Sequence, residues 1–468
     1  MNPFTQDTIV APATTPGTGA ISIVRLSGPG CFKIADAVLE LHHGTVSQAA
    51  AYTIHYGEVY SDAHTLLDQV LVSVFRAPHS FTGEDSVEIS THASSYIVTT
   101  LVRQLIQAGA RMAEPGEFTR RAFVNGKMDL AQAEAVADVI SSTTSASHRV
   151  AMNQLKGSFS EELVRLRGEL LDMASLLELE LDFSEEDVEF ADRSKLLELI
   201  EATIGHVEKL ASSFKAGNMI KNGVPVAIVG PTNAGKSTLL NALAGEDRAI
   251  VSDIAGTTRD TIEEVVNIGG ILFRFIDTAG LRESVDTVEM MGIERSYRKL
   301  SEASIVLALT DSPSELEPIC KHIDWEVQRL FVLVNKTDVL SNNDINKIVT
   351  DINNFVIKNN YQAITLTLSA KTSEGVKELE NALVGSQKDL VSNLDSVFIT
   401  NERHYHALLQ AASSLRSART ALESATSSEL IAEDIRASIS SINSILGTDL
   451  LDPTTILHTI FSRHCIGK

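Results

Sequence analysis

The sequence predicts a multidomain α/β protein: an N-terminal α+β domain, an α-helical bundle drawn from two chain segments, and a phosphate-loop domain inserted between those segments. Three observations predict it. A complete phosphate-binding loop occupies positions 230–237, in the middle of 468 residues rather than at the start. Six of the eleven prolines fall in residues 1–116, and none lies between 116 and 224. Residues 386–446 then contain neither glycine nor proline.

The first 124 residues carry β-type runs such as Ala20-Ile21-Ser22-Ile23-Val24-Arg25-Leu26 between glycine-rich turns, the pattern of a compact α+β domain. In 125–218 apolar residues recur at helical spacing, as in Leu196, Leu197, Ile200, Ile204, Val207 and Leu210. Residues 219–385 hold the inserted domain. The last stretch, 386–468, is again rich in leucine, alanine and serine. Packing it on 125–218 is the simplest architecture, because a chain that enters and leaves one bundle gives the inserted domain a mechanical handle.

At 50.6 kDa, with 44% hydrophobic residues and mean hydropathy near zero, the chain is expected to fold as roughly three soluble domains. No apolar run approaches the length of a membrane span, and the N-terminus lacks a basic signal region, so a cytoplasmic protein with no membrane partner is expected. Cys31, Cys320 and Cys465 are too scattered for a disulfide framework or a zinc site. A formal net charge of −22 argues against a broadly basic nucleic-acid surface. It leaves room for a local patch, for which Arg111, Arg120, Arg121 and Lys127 are the candidates.

The inserted segment carries the chemistry. The β-branched run Val224, Val226, Ala227, Ile228 and Val229 leads into Gly230-Pro231-Thr232-Asn233-Ala234-Gly235-Lys236-Ser237, and a helix opens at Thr238. Glycines let the backbone N–H groups turn toward phosphate oxygens, and the helix N-terminus adds partial positive charge. Lys236 would reach the β- and γ-phosphates, and Ser237 would ligate Mg²⁺. Downstream, Ile254-Ala255-Gly256-Thr257-Thr258-Arg259-Asp260 offers a hydroxyl that binds Mg²⁺ only while a γ-phosphate is present, which makes it a switch. Asp277-Thr278-Ala279-Gly280 follows the strand-like run 271–276. Asn335-Lys336-Thr337-Asp338 follows another, and the Asp338 carboxylate suits the N1–H and 2-amino donors of guanine. Ser369-Ala370-Lys371 completes the base pocket. Five such elements in this order define a Ras-like P-loop GTPase domain. Leu281 stands where a water-orienting glutamine is expected, so Glu283 or Glu289 must act in its place. Asn233 offers an oxygen for a monovalent cation beside the phosphates.

Further stretches extend over the whole chain: Asp7-Thr8-Ile9-Val10-Ala11, Ser80-Phe81-Thr82-Gly83-Glu84, Pro115-Gly116-Glu117-Phe118-Thr119-Arg120-Arg121, Asn125-Gly126-Lys127-Met128-Asp129-Leu130, Gly292-Ile293-Glu294-Arg295 and the terminal Cys465-Ile466-Gly467-Lys468. With these the chain resembles the tRNA-modification GTPases of the MnmE (TrmE) family. The resemblance implies a homodimer that works with a FAD-dependent partner, MnmG, in a heterotetramer or larger complex. Together they place a carboxymethylaminomethyl-type group on C5 of a tRNA wobble uridine. The one-carbon unit comes from 5,10-methylene-tetrahydrofolate, for which 5-formyl-tetrahydrofolate is an analogue. The resemblance implies that residues 1–124 dimerise and bind the folate, through Arg25, Glu88, Lys127 and Lys468. In the GTP site it implies Mg²⁺ on Ser237 and Thr258, and K⁺ on Asn233, Ser252, Ile254 and Thr257. It makes Glu289 the residue that orients water, and K⁺ with pairing of two GTPase domains the substitute for an arginine finger. The nucleotide contacts then span 233–238, Ser252-Asp253-Ile254-Ala255-Gly256-Thr257-Thr258, 277–280, Asn335, Lys336, Asp338 and 369–371. Cys465 becomes a thiol taking part near the folate, against the plainer reading of a small buried hydrophobe.

Two positions depart from the family pattern. Thr91-His92-Ala93-Ser94 stands where a Cys-His-Gly-Gly-like stretch is usual, which would narrow a close backbone approach. His464 precedes Cys465 where phenylalanine is common. The competing reading is a regulatory RNA-binding or ribosome-assembly GTPase switch with no modification chemistry. The N-terminal domain and the terminal cysteine weigh against it.

Overall fold

A computed structural model describes residues 7–61, 63–182, 193–245, 264–276, 300–388, 396–424, 427–448 and 467. The chain forms two compact units. One comprises Met1–Ile140, Gln154–Ile204 and Gln410–Lys468; the other comprises Ser141–Asn153 and Gly205–Leu409.

The N-terminal part of the first unit is a seven-stranded sheet. In chain order it contains β1 (Ile9–Pro12), β2 (Gly19–Ser27), α1 (Cys31–Asp36), β3 (Leu39–Leu41), β4 (Thr53–Tyr60), β5 (Leu66–Phe75), β6 (Ser86–Ala93), α2 (Ser95–Gln107), β7 (Arg111–Met112) and α3 (Glu117–Val124). The strand order is β3-β4-β5-β6-β2-β1-β7, antiparallel except for the β1–β7 pair. Alternation explains the single covered face. Val70, Val72 and Val74 of β5 are fully buried with Leu101 and Leu105 of α2, while Leu71 and Ile54 point out and are exposed. His92 turns its Nδ1 to the buried Asp68 at 2.7 Å, and Ala93 lies opposite Gly19 in register.

The arginines read as a nucleic-acid patch serve another purpose. Arg121 is 1% exposed and gives hydrogen bonds to Asp7 Oδ1 (2.6 Å), Glu84 (3.3 Å) and Glu117 Oε1 (3.1 Å). Arg111 donates to Asp7 (2.6 Å) and Glu117 (2.7 Å), and Arg120 pairs with Glu114 at 3.1 Å. Three cations neutralised by four carboxylates form an internal ionic network that fastens the chain start and the 84 loop to α3, and the expectation of an RNA-facing patch here is corrected. Gly28, at φ 125°, allows this closeness, because a Cβ there would meet Thr8 Cα at 3.0 Å and Arg121 at 3.1 Å.

Helices α4 (Leu130–Ser141), α5 (Ser145–Leu155), α6 (Ser158–Asp182) and α7 (Arg193–Asn222) follow. The second unit then builds a six-stranded sheet from β8 (Val224–Val229), β9 (Glu264–Ile268), β10 (Ile271–Ile276), β11 (Ile305–Leu309), β12 (Arg329–Val334) and β13 (Ala363–Thr367). Its helices are α8 (Lys236–Ala244), α9 (Pro313–Cys320), α10 (Asn342–Lys358) and α11 (Val376–Ser386). The order is β13-β12-β11-β8-β10-β9, parallel apart from β9. Both faces are covered, and the residues divide between them with a period of two. Val224, Val226 and Ile228 join Phe331 and Leu333 in one core, while Ala227 joins Val306, Ala308, Val332 and Val334 in the other. This is a Ras-like P-loop arrangement.

Two helices close the chain, α12 (Glu402–Glu423) and α13 (Ser428–Leu446). Within the first unit α13 packs along α6, whose Leu163, Leu166, Leu170 and Leu177 face inward at helical spacing. Arg167 donates to Asn443 at 2.7 Å and Arg436 to Glu178 at 2.6 Å, fixing the register of this pair. The helical bundle thus combines chain segments from both sides of the inserted domain.

Candidate nucleotide site and a second polar cluster

Position 230 is where β8 ends and the chain must turn sharply. Gly230 (φ 148°) and Gly235 (φ 98°) have no room for a Cβ, the first against the Leu309 carbonyl and the second against the Asn335 amide. Asn233 itself is left-handed at φ 64°. Gly235 is the N-cap of α8, so Lys236 and Ser237 open the helix with their N–H groups unclaimed by the preceding turn.

Lys236 folds back over this loop. Its Nζ donates to Gly230 O at 2.8 Å and Pro231 O at 2.9 Å, and burial pushes its pKa down. Among the described residues this half-buried ammonium meets carbonyl dipoles and no carboxylate, an arrangement suited to an anion. A phosphate fits it, since oxyanion charge would restore what desolvation removes.

The residues expected from sequence to recognise the base are joined by hydrogen bonds across three strand ends. Asn335, just after β12, donates to Ala234 O at 2.8 Å and accepts from Ala370 N at 3.0 Å. It clamps the phosphate loop to the 369–371 turn. Lys336 takes φ 65°, which redirects the chain after Asn335. Ser369, fully buried, donates its hydroxyl to Asp338 Oδ1 at 2.7 Å and accepts from Thr372 N, so the exposed Asp338 carboxylate is held in one orientation. That leaves its outer oxygen for two ring donors. Asp338→Asn should therefore cost GTP roughly ten- to a hundred-fold in affinity, the worth of hydrogen bonds to a charged group. Xanthosine triphosphate, which carries an oxygen where guanine has the amine, should gain relative to GTP; unchanged selectivity in competition binding would remove Asp338 from the base pocket.

The structure brings together Asn233, Ala234, Gly235, Lys236, Ser237, Thr238, Asn335, Lys336, Asp338, Ser369, Ala370 and Lys371 at one end of the sheet. Ser252 through Thr258, Asp277 through Gly280, Glu289, Cys465 and Lys468 lie outside the described residues. β10 ends at Ile276, immediately before Asp277.

A second cluster lies on the N-terminal sheet. Arg25 and Glu88 are cross-strand partners on β2 and β6, joined by Arg25 Nε to Glu88 Oε1 at 2.9 Å and by a second nitrogen at 2.8 Å. The Arg25 guanidinium sits 5.6 Å from the ring centres of both Phe81 and Phe118. Another Arg25 nitrogen reaches Gly467 O at 3.4 Å, so the end of the chain returns to this sheet. Gly467 (φ 99°) lies too close to the Pro12 carbonyl for any side chain. Lys127 crosses Gly83, two residues past Phe81, and gives its Nζ to Pro78 O at 3.0 Å. Of the folate candidates, Arg25, Glu88 and Lys127 thus border one stretch of surface. Phe81 and Phe118 were not singled out from sequence, although both stand inside quoted motifs. Phe118 is fully buried and Phe81 is exposed, so a carboxylate–guanidinium pair beside the open Phe81 ring can take a flat heterocycle that has donors on one edge.

Comparison with known proteins agrees in extent. Residues 8–127 match the family model described as GTP-binding protein TrmE N-terminus, and 130–465 match that described as MnmE helical domain. The tRNA modification GTPase MnmE of Bacteroides thetaiotaomicron is 47% identical, covering 99% of this chain and 100% of the relative. That of Flavobacterium johnsoniae is 46% identical with 99% of each covered. That of Porphyromonas gingivalis is 45% identical over 100% of this chain and 99% of the relative. Among solved structures, Era in complex with MgGDPNP and a 16S ribosomal RNA segment is 25% identical, covering 41% of this chain and 66% of that one, and its TM-score of 0.27 is too low to carry weight.

Proposed function

Because the chain belongs to the family of tRNA modification GTPases named MnmE, we propose that it hydrolyses GTP to drive C5 modification of a tRNA wobble uridine. Its one-carbon unit would come from methylene-tetrahydrofolate. The observation that carries this reading is the presence of two sites in one chain: a guanine-type nucleotide site, and the Arg25–Glu88 pair between aromatic rings beside the returning C-terminus. A switch GTPase with no modification chemistry has no use for the second. We assign residues 1–124 to dimerisation and folate binding, 125–218 and 386–468 to the helical domain, and 219–385 to the GTPase domain. The working assembly is a cytoplasmic homodimer with the FAD-dependent MnmG. No described helix is long and apolar enough to cross a membrane.

In the nucleotide site Lys236 exchanges its two carbonyl partners for β- and γ-phosphate oxygens, and the α8 N-terminus faces the same charge. Asn335 and Ser369 hold the base pocket in register with the phosphate loop. Ser237 and Thr258 would hold Mg²⁺, and Asn233, Ser252, Ile254 and Thr257 would hold K⁺. Bound there, the two cations supply positive charge against the γ-phosphate as the transition state spreads its charge. Leu281 cannot orient water, and Glu289 takes that role. In the second site the Glu88 carboxylate would accept from pterin amino and ring N–H donors, while Arg25, Lys127 and Lys468 offer charge to the glutamate tail. Cys465 would act with this site as a participating thiol.

Steady-state GTP turnover tests the cation assignment. Replacing Na⁺ by K⁺ should raise the rate at least about tenfold, on the scale of one lost transition-state donor. Equal rates in the two salts would remove the K⁺ assignment.

A further inference from the structure

We propose that the helical part of the second unit, where α5, the C-terminal half of α7 and the segment leading into α12 meet, is the surface that takes the phosphate backbone of tRNA. The inference rests on the tRNA reading above and names where that partner sits.

The three segments converge on one small core. Phe398 packs with Ala146 and Val150 of α5 and with Ala216 and Ile220 of α7. Ile399 donates its N–H to Ser213 Oγ at 3.1 Å, and Gly217 has no room for a Cβ against the Ile399 backbone. This close approach brings the start of α12 against α7, where the Phe214 and Tyr405 rings stack at 4.6 Å with a 14° interplanar angle. The composition of these segments is unusual for the chain. Residues 141–153, 205–222 and 396–409 carry Arg149, Lys209, Lys215, Lys221 and Arg403 against only Glu208 and Glu402. The whole chain, by contrast, has 39 Lys and Arg against 61 Asp and Glu. The helix Ser158–Asp182 alone has seven carboxylates against two arginines. His148, His206 and His406 add three further imidazoles to these segments, while His404 is buried. Arg149, Lys209, Lys215 and His406 are exposed, and the stacked Phe214–Tyr405 pair is half-buried, with the His406 ring 5.6 Å from that of Tyr405.

A local excess of cations on an acidic protein concentrates a polyanion at that place and repels it elsewhere. Stacked, partly open aromatic rings suit single-stranded loop bases, which is how RNA loops are commonly held. An acidic protein would use the charge and leave the rings idle, so RNA is the better-matched partner.

The test is binding of unmodified tRNA to the full-length protein across a KCl series. It compares wild type with Arg149→Glu/Lys215→Glu and with Lys347→Glu/Lys358→Glu, an equal charge change on exposed positions of α10. The junction pair should lose at least about tenfold in affinity, and the slope of log K against log salt should shrink by about 1–2. GTP turnover without RNA and binding by the α10 pair should stay at wild-type values. Equal tRNA affinity and slope for the junction pair and the α10 pair would overturn the proposal, as would a junction pair that keeps tRNA but loses an acidic protein partner. If the glutamate pair lowers GTP turnover, Arg149→Gln/Lys215→Gln must still show the loss with about half the logarithmic effect, and a wild-type response there overturns it too. A wild-type protein that does not bind tRNA at all would instead remove the broader functional reading.

Discussion

Lys236→Ala is expected to lower GTP turnover by about 10²–10³-fold, the scale of losing one preorganised donor at a developing oxyanion. The structure shows why neighbours cannot compensate. Lys236 Nζ is held at 2.8 and 2.9 Å by the carbonyls of Gly230 and Pro231, over the loop that would receive the phosphates. The other polar side chains of the loop, Thr232, Asn233 and Ser237, offer no positive charge. Burial already weakens the ammonium, so a phosphate partner regains electrostatic energy that water cannot give back. Nucleotide affinity should fall with turnover, because the lysine meets the ground-state β-phosphate as well. Turnover within threefold of wild type would mean that the loop works without it.

The second large effect concerns stability. Arg121→Met should cost about 3–5 kcal/mol in the N-terminal sheet, since it strands buried carboxylates rather than removing a pair. Glu117 is 1% exposed and Glu84 has a 10% exposed side chain, and both face the guanidinium. Hydrogen exchange in α3 reads this locally, and protection should drop by about 10²–10³-fold. The pH dependence has a definite sign. Burial pushes the Glu117 pKa up, but hydrogen bonds from Arg111 and the Glu114 N–H together with the Arg121 charge hold it below the ordinary 4.5. A depressed carboxylate stabilises the fold fully above its unfolded pKa and loses that contribution as pH falls through the folded value. The deficit of Arg121→Met should therefore be largest near neutrality and shrink below pH about 4. Adding Glu117→Gln should recover part of it. Wild-type protection in the single variant would show that the network contributes nothing to holding α3.

How much of this was legible in the sequence follows from how local each signal is. The phosphate loop is a contiguous pattern of strand, glycine turn and helix, so Lys236 and Ser237 could be assigned a place before any coordinates. Asp338 and Ser369 were legible because each follows an apolar strand, although the hydrogen bond between them spans 31 residues. Arg25 and Glu88 are 63 residues apart, and only the β2–β6 register makes them neighbours. The arginines 111, 120 and 121 show the opposite failure. Counted without partners they read as a basic patch, because Asp7 and Glu84 are distant in sequence. Glu117 with Arg120 and Arg121, three and four residues along one helix, was open to a spacing argument. The basic junction of α5, α7 and α12 is the counterpart. Its charges are spread from 149 to 403, so no window of the sequence reveals them against a net charge of −22.

That this GTPase serves tRNA modification is tested most directly by the wobble nucleosides of cellular tRNA. Mass spectrometry of tRNA hydrolysates from cells lacking the protein should show loss of the C5 aminomethyl-type uridines. Their return should require wild-type protein and fail with Lys236→Ala. An unchanged nucleoside profile in cells without the protein would contradict the account and favour a regulatory GTPase with no modification chemistry.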